Sequence, residues 1–256
     1  MADRIARKVE LTARIEPFDS FWEAPADVDQ GYRTFAEFYR YNYLPHLPRE
    51  RDARILAVSA GYGYLLSLLA SEGYGNVLGI DSDPDKVAYA RSRGLPCRLA
   101  EAFPFLEDHP HTFDAIVCEQ ELNHLTKPEI LAFLELCRRS LRPRGTLVVH
   151  ALNGANPITG AEALAQNFDH YNTFTEYTFR QVLEYTSFED IRVIPLNLYV
   201  FYRNPLNYVL MLAAGLYTLW FRLSFMLYGK TNRLFTKKIG AIARRGSDDG
   251  HAHPVL

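Results

Sequence analysis

"RILAVSAGYGYLLSLLA", residues 54–70, decides the fold. An apolar run, Ile55 to Val58, leads into small residues and a glycine pair, Gly61 and Gly63. Leucines then recur at helical spacing. This reads as a buried strand, a tight turn whose backbone can approach a ligand closely, and a helix. The same alternation continues outward. "NVLGIDS" (76–82) is a second strand, followed by the helix "DPDKVAYARSRG" (83–94), with Pro84 in its first turn and Gly94 at its end. "PCRLAEA" (96–102) and "FDAIVCEQ" (113–120) are the third and fourth strands. The helix "KPEILAFLELCRRSL" (127–141) precedes a fifth strand, "GTLVVHAL" (145–152). "TEYTFRQVLEYTS" (175–187) is a helix with Thr175 as N-cap. "EDIRVIPLNLYVF" (189–201) and "LFTKKIGAIARR" (234–245) complete seven strands. Such βα units predict an α/β, Rossmann-like fold, a mainly parallel sheet covered on both faces.

With 256 residues, 48% of them hydrophobic, the chain can bury one sizeable core. Residues 1–50 read as an aromatic-rich N-terminal extension, with a helix in "GYRTFAEFYRYNYLPHLP" (31–48) ended by Pro45 and Pro48. Residues 51–245 form the main domain, with an apolar helical insert over 204–233, and 246–256 read as a disordered tail. The net charge of −2 predicts no nucleic-acid partner. Three scattered cysteines without metal-type spacing predict reduced thiols, a cytoplasmic location and no metal. The N-terminus lacks the apolar core of a secretory signal.

In open α/β sheets, ligands bind beyond the carboxyl ends of the strands. Asp81 ends the second strand, 18 residues after Gly63, close to the spacing at which an acid grips a ribose hydroxyl pair. A dinucleotide loop requires a third glycine for the pyrophosphate, but Leu66 stands there. S-adenosylmethionine has no pyrophosphate and does not need that glycine.

The stretch 54–152 resembles the class I S-adenosylmethionine-dependent methyltransferases. The resemblance rests on "ILAVSAGYG", "VLGIDSDPDKVAYAR", "CRLAEAFPF", "FDAIVCEQELNHL" and "LCRRSLRPRGTLVVHALN". It implies that fold and S-adenosylmethionine as cofactor. Gly61 and Gly63 would pass beneath the methionine part, with Ser59 and Ala60 beside them. Asp81 would hold the ribose, with Ser82 adjacent; Glu101 and Ala102 would flank the adenine; Glu119 and Gln120 would lie beneath the sulfonium. The C-terminal part, "HALNGANP…NFDHYNTFTEYTFRQVLEYTSFEDIRVIP", is similar to methyltransferases of bacterial cell-surface polysaccharide biosynthesis. Two positions depart from the family pattern. Ala57 stands where an acid is usual, and Ser59 where glycine is usual. If position 59 needs a positive φ, serine costs roughly 1–2 kcal/mol there.

Methyl transfer to a sugar hydroxyl calls for a general base, and histidine is the natural one near neutral pH. His170, in the 154–174 loop, is the first candidate and His124 the second; each is otherwise a loop or packing residue. His150 reads as a buried, hydrogen-bonded strand residue. Asp169 can orient an imidazole, and Glu121 is either an orienter or solvated. Tyr62 and Tyr64 either shield the pocket or pack on the aromatic N-terminal helix.

"NYVLMLAAGLYTLWFRLSFMLYGK" (207–230) approaches membrane-spanning length, interrupted by Arg222 and followed by Lys230, Arg233, Lys237 and Lys238. If its flanking strands share one sheet, a single crossing is excluded. Peripheral contact with the inner face of a membrane, packing on the domain, and a homodimer through 205–228 remain open. The expectation is S-adenosylmethionine-dependent O-methylation of a glycan or other small-molecule acceptor, on a surface polysaccharide or its lipid-linked precursor. The alternative is a non-catalytic methyltransferase-like subunit that holds a protein partner.

Overall fold

The computed structural model describes residues 25–118, 121–166, 170–196 and 205–247. Strands β1 (Ile55–Val58), β2 (Val77–Asp81), β3 (Cys97–Leu99), β4 (Phe113–Cys118) and β5 (Leu141–Leu152) pair in parallel. Strand β7 (Lys238–Arg245) runs antiparallel between β5 and β6 (Phe188–Leu196). The sheet order is β3-β2-β1-β4-β5-β7-β6. The expected seven-stranded, mainly parallel α/β sheet is therefore the observed one.

Because side chains alternate across a strand, β1 feeds two cores. Leu56 and Val58 join Ile116, Phe133 and Phe179 on one face; Ile55 and Ala57 join Leu65, Leu69 and Val117 on the other. The first face is covered by α4 (Ala102–Glu107), α5 (Lys127–Ser140) and α7 (Glu176–Tyr185). The second is covered by α1 (Pro25–Asn42), α2 (Tyr64–Ser71) and α3 (Pro84–Ser92). Ala57 is buried among apolar groups, so the missing acid has left a methyl in a dry core.

Several elements differ from the expectation: β5 begins at Leu141, four residues early, and β7 at Lys238, four residues late. The helix expected from Gly31 already covers the first described residues, since α1 includes Pro25 and Gly31 lies inside it. Gly31 is interior because the ring of Tyr64 lies 2.5 Å from where its Cβ would stand. The third strand stops at Leu99, and α4 follows, with Pro104 in the first turn, where a helix needs no N–H donor. The 154–174 loop contains the helix α6 (Thr159–Gln166). The capping of α7 is as expected, with the Thr175 hydroxyl accepting from the Thr178 N–H. Helix α8 (Pro205–Leu227) is the apolar insert, and residues 197–204 and 248–256 of the last expected segments lie outside the described residues.

The chain order reverses between β1 and β4. Crossovers to the left of β1 build β2 and β3, and those to its right build β4 and β5. This is the switch point beyond whose carboxyl edge a crevice opens in doubly wound sheets. The described segments that follow β1 and β4 at that edge are Ser59–Gly63 and 121–124.

Candidate active site

The turn after β1 is built from alternating left-handed residues. Ser59, Gly61 and Gly63 have φ of 56°, 54° and 82°. The Gly63 N–H closes the turn on the Ala60 carbonyl at 2.9 Å, and the Ala60 N–H ties it to Ile80 of β2 at 3.0 Å. Gly63 is glycine for two reasons, since an added Cβ would also stand 2.7 Å from Leu95 Cδ1. At Gly61 nothing lies within 4 Å of the Cβ position, so the backbone borders open space. Ser59 adopts the positive φ that makes serine costly there.

The absent third glycine has a structural counterpart. The Leu66 Cδ1 lies 2.6 Å from where a Cβ would stand on Gly79 of β2. Close helix-to-sheet approach, which the third glycine of a dinucleotide loop provides from the helix, is here provided by a glycine in the strand.

Asp81 links the loop to the second strand. Its Oδ2 accepts the Gly61 N–H at 2.8 Å and its Oδ1 accepts the Asp83 N–H at 2.9 Å. Burial pushes its carboxyl above the ordinary value, and these two backbone donors partly offset the rise. Asp83 in turn caps α3 through the N–H groups of Asp85 and Lys86. Asp81 thus has a structural task in "DSDPD", and each oxygen retains a lone pair for a further donor. Ser82 is exposed beside it. Glu101 is exposed as the N-cap residue of α4, and Ala102 packs partly against the core. Glu119, Gln120 and Asp169 lie outside the described residues.

His124 and His170 meet. Their rings are edge to face, with centroids 4.7 Å apart. The Nδ1 of His170 lies 2.7 Å from the Ala163 carbonyl of α6. A carbonyl only accepts, so Nδ1–H is the donor of this contact. The segment is fixed by Tyr171 N–H on the Asn123 carbonyl at 2.8 Å, and by Asn172 Nδ2 on the Leu125 carbonyl. Sequence reasoning missed Asn123. Its carboxamide is fully buried, and neither polar atom has a hydrogen-bond partner among the described residues. Its neighbours Glu121 and His124 drew attention on charge, whereas an amide gives no such signal.

His150 is a structural residue, as expected. It is buried, its Nδ1 pairs with the Tyr43 hydroxyl, and burial pushes its pKa well below the ordinary histidine value. Tyr62 and Tyr64 pack on α1. The Tyr32 hydroxyl donates to the Tyr62 carbonyl, and the Tyr64 ring lies between Tyr32 and Phe35. A surface cavity lined by Pro48, Asp114, Arg144 and Arg244 sits at the opposite, amino edge of the parallel strands and has no part in this constellation.

Comparison with known proteins bears on the fold. Residues 55–145 match the family model described as "Methyltransferase domain". The chain is 32% identical over 120 residues to a ubiquinone biosynthesis O-methyltransferase of Xylella fastidiosa, covering 44% of this chain and 48% of that one. It is also 32% identical over 150 residues to the protein of the same name from Xanthomonas campestris pv. campestris, covering 53% and 62%. The chain thus spans roughly half to three-fifths of the length of these relatives, which are named for ubiquinone rather than glycan biosynthesis. The fold is similar to that of a SAM-dependent methyltransferase from Archaeoglobus fulgidus, with TM-score 0.63 at 16% identity over 83% of this chain and 94% of that one. It is also similar to phosphoethanolamine N-methyltransferase 2 of Haemonchus contortus in complex with S-adenosyl-L-methionine, with TM-score 0.57 at 16% identity over 90% and 60%. Residues 55–145 are thus similar to a methyltransferase domain, and the fold is similar to that of S-adenosylmethionine-dependent methyltransferases.

Proposed function

We propose that the protein is an S-adenosylmethionine-dependent O-methyltransferase whose acceptor is a hydroxyl of a surface glycan or its lipid-linked precursor. The observation that carries the reading is that the Ser59–Gly63 turn, tied to the Asp81 carboxylate, and the segment of His124, which meets His170, follow the carboxyl ends of the neighbouring strands β1 and β4. The chemistry of these groups fits the cofactor. Open space at Gly61 admits the methionine part against the backbone, and the remaining lone pairs of Asp81 suit two ribose hydroxyl donors.

The bound cofactor supplies a methyl group activated on sulfonium. The chain has to hold the acceptor oxygen in line with it and take the proton. His170 is the base in this reading. Its Nδ1–H is anchored on the Ala163 carbonyl, and Nε2 is the atom that would take the hydroxyl proton. His124 fixes the plane of that ring from the side. The segment 170–172 is hydrogen-bonded to Asn123 and Leu125, so the base is held on the element that leaves β4 beside the cofactor crevice. The relatives' name supports an oxygen acceptor, and the sequence resemblance of residues 150–195 to methyltransferases of cell-surface polysaccharide biosynthesis is what favours a sugar.

The test is incubation of the full chain with methyl-labelled S-adenosylmethionine and a lipid-linked oligosaccharide fraction from bacterial membranes. Alkali-stable label in the sugar, lost with His170→Gln, is the expected result. Label confined to an aromatic ring hydroxyl would replace the glycan with a quinone-type acceptor. No transfer, and no cofactor binding, would contradict the enzyme reading altogether.

A further inference from the structure

The helix α8 is oriented against the usual rule for a surface helix. Its half-buried positions include Thr218 and Ser224, whose hydroxyls bond back to the carbonyls of Ala214 and Trp220 at 2.9 Å. Asn207, near its start, is buried. Most of its outward positions are large and apolar, including Leu216 at 61% exposure, Trp220 at 65% and Leu227 at 84%, with the exposed Arg222 among them. A helix on a water-soluble surface turns its apolar stripe inward. Here the stripe faces away from the domain, over a contiguous length that monomeric surfaces rarely leave bare.

The helix touches the domain at two places, at the buried Asn207 and, nearer its C-terminal end, through two aromatic rings. Phe221 and Phe225 pack on Phe235, at ring centroid distances of 6.0 and 4.7 Å. The chain around Phe235 is stitched down. Asn153 Nδ2 donates to the carbonyls of Leu234 and Thr236, Asn156 Nδ2 donates to that of Phe235, and the Arg233 N–H donates to Glu176. Leu196 at the end of β6 pairs with Lys238 at the start of β7, so the chain leaves and re-enters the sheet at one place. A bilayer crossing would require the two ends to be separated by the hydrocarbon core. A helix that touches the domain at Asn207 and again at Phe221 and Phe225, between strands that meet at one place, does not carry its ends to opposite faces of a bilayer.

Charge selects the occupant. From Arg203 to Lys238 the sequence has six cationic residues, Arg203, Arg222, Lys230, Arg233, Lys237 and Lys238, and no Asp or Glu, in a chain of net charge −2. A two-fold dimer through this helix would set these like charges against one another. An anionic bilayer complements them, with the apolar stripe entering the acyl boundary and the basic residues at the headgroups. We infer that α8 is an in-plane membrane-docking helix that seats the protein on an anionic lipid surface.

The helix joins β6 to β7 at the edge where β5 ends, since Leu152 also pairs with Lys238. Docking therefore places the crevice edge of the sheet next to lipid. Resting on the reading of the site given above, this assigns the acceptor to a class carried on a membrane lipid.

The test uses the full chain with Trp22→Phe, which leaves Trp220 as the single tryptophan. It is titrated with phosphatidylcholine vesicles containing about one-third phosphatidylglycerol, at physiological ionic strength. The expected result is a blue shift of Trp220 emission and co-sedimentation, both absent with pure phosphatidylcholine. Leu216→Asp together with Leu223→Asp should weaken binding at least about tenfold. Both positions are exposed, so an unchanged melting temperature shows that the fold is kept. No shift on anionic vesicles overturns the inference, as does a dimer in solution that the aspartates dissociate. Protein that resists alkaline extraction from the vesicles would replace the flat helix with a spanning one. S-adenosylhomocysteine binding, measured on the same sample without vesicles, reports separately on the methyltransferase reading.

Discussion

The backbone N–H of Gly61 donates to Oδ2 of Asp81 at 2.8 Å, across the gap between the ends of β1 and β2. The acid expected to hold the cofactor ribose therefore also shapes the turn beneath the methionine part. Asp81→Ala removes an anionic acceptor from two backbone donors, at a cost of roughly 1.5–3 kcal/mol for a charged hydrogen bond. Asp81→Asn keeps one acceptor oxygen and should cost less. Amide hydrogen exchange at Gly61 should quicken in the alanine variant without ligand. Unchanged exchange would mean that the turn holds its own shape. Burial raises the Asp81 carboxyl, so its neutral form is better tolerated in the free protein. Ribose hydroxyls require the ionised form, so cofactor affinity should decline as pH falls through that raised value.

Ser59 has φ of 56°, a region that a Cβ makes unfavourable. Ser59→Ala keeps the Cβ and removes the hydroxyl, whereas Ser59→Gly removes both. The glycine variant should be more stable than the alanine variant by roughly 1–2 kcal/mol. Equal denaturation midpoints would show that the backbone relaxes without cost.

The roles of His170 and His124 separate in kinetics. His170→Gln should lower kcat by about 10²–10⁴ with S-adenosylhomocysteine affinity unchanged, the size of effect ascribed to a general base. His124→Gln should give a smaller loss. The double variant should be little worse than His170→Gln alone, because His124 acts through the other ring. Additive losses would give His124 an independent task.

His150 ties stability to pH. Its folded pKa is pushed well below the unfolded value of about 6.5, by burial first and by the charge of Lys238 second. The unfolded chain then binds a proton that the folded chain refuses. The stability from keeping the ring neutral is full above about pH 6.5, and falls away as pH drops towards the depressed folded value. The slope contributed is at most about 1.4 kcal/mol per pH unit. Urea midpoints from about pH 7.5 to 5.5 should fall less steeply in His150→Gln than in the parent. Parallel curves would assign the acid lability elsewhere.

What the sequence could express depended on the range of the interaction. The β1 strand, the Gly61–Gly63 turn and the Thr175 cap are local patterns, and each was readable. Gly31 looks like a boundary but is interior, because the reason for its size is the Tyr64 ring, 33 residues away. The missing third glycine at Leu66 looks like damage until Gly79 is seen opposite it. The outward face of α8 was equally hidden. Composition marked the segment as apolar, but only the folded chain shows which side its polar residues take. At the site, His124 and His170 were singled out separately by residue type. Their contact depends on a loop whose helix α6 is too short, and has a glycine too near its start, to show a period.

The central claim is that "AVSAGYG" is a working loop despite Ala57 and Ser59. The most direct measurement is calorimetric titration of the full chain with S-adenosylhomocysteine, set beside the Asp81→Ala variant. Micromolar affinity is expected, with a loss of roughly ten- to a hundredfold in the variant, the equivalent of one charged hydrogen-bond set. No heat of binding up to millimolar ligand, or binding indifferent to Asp81, would contradict the account.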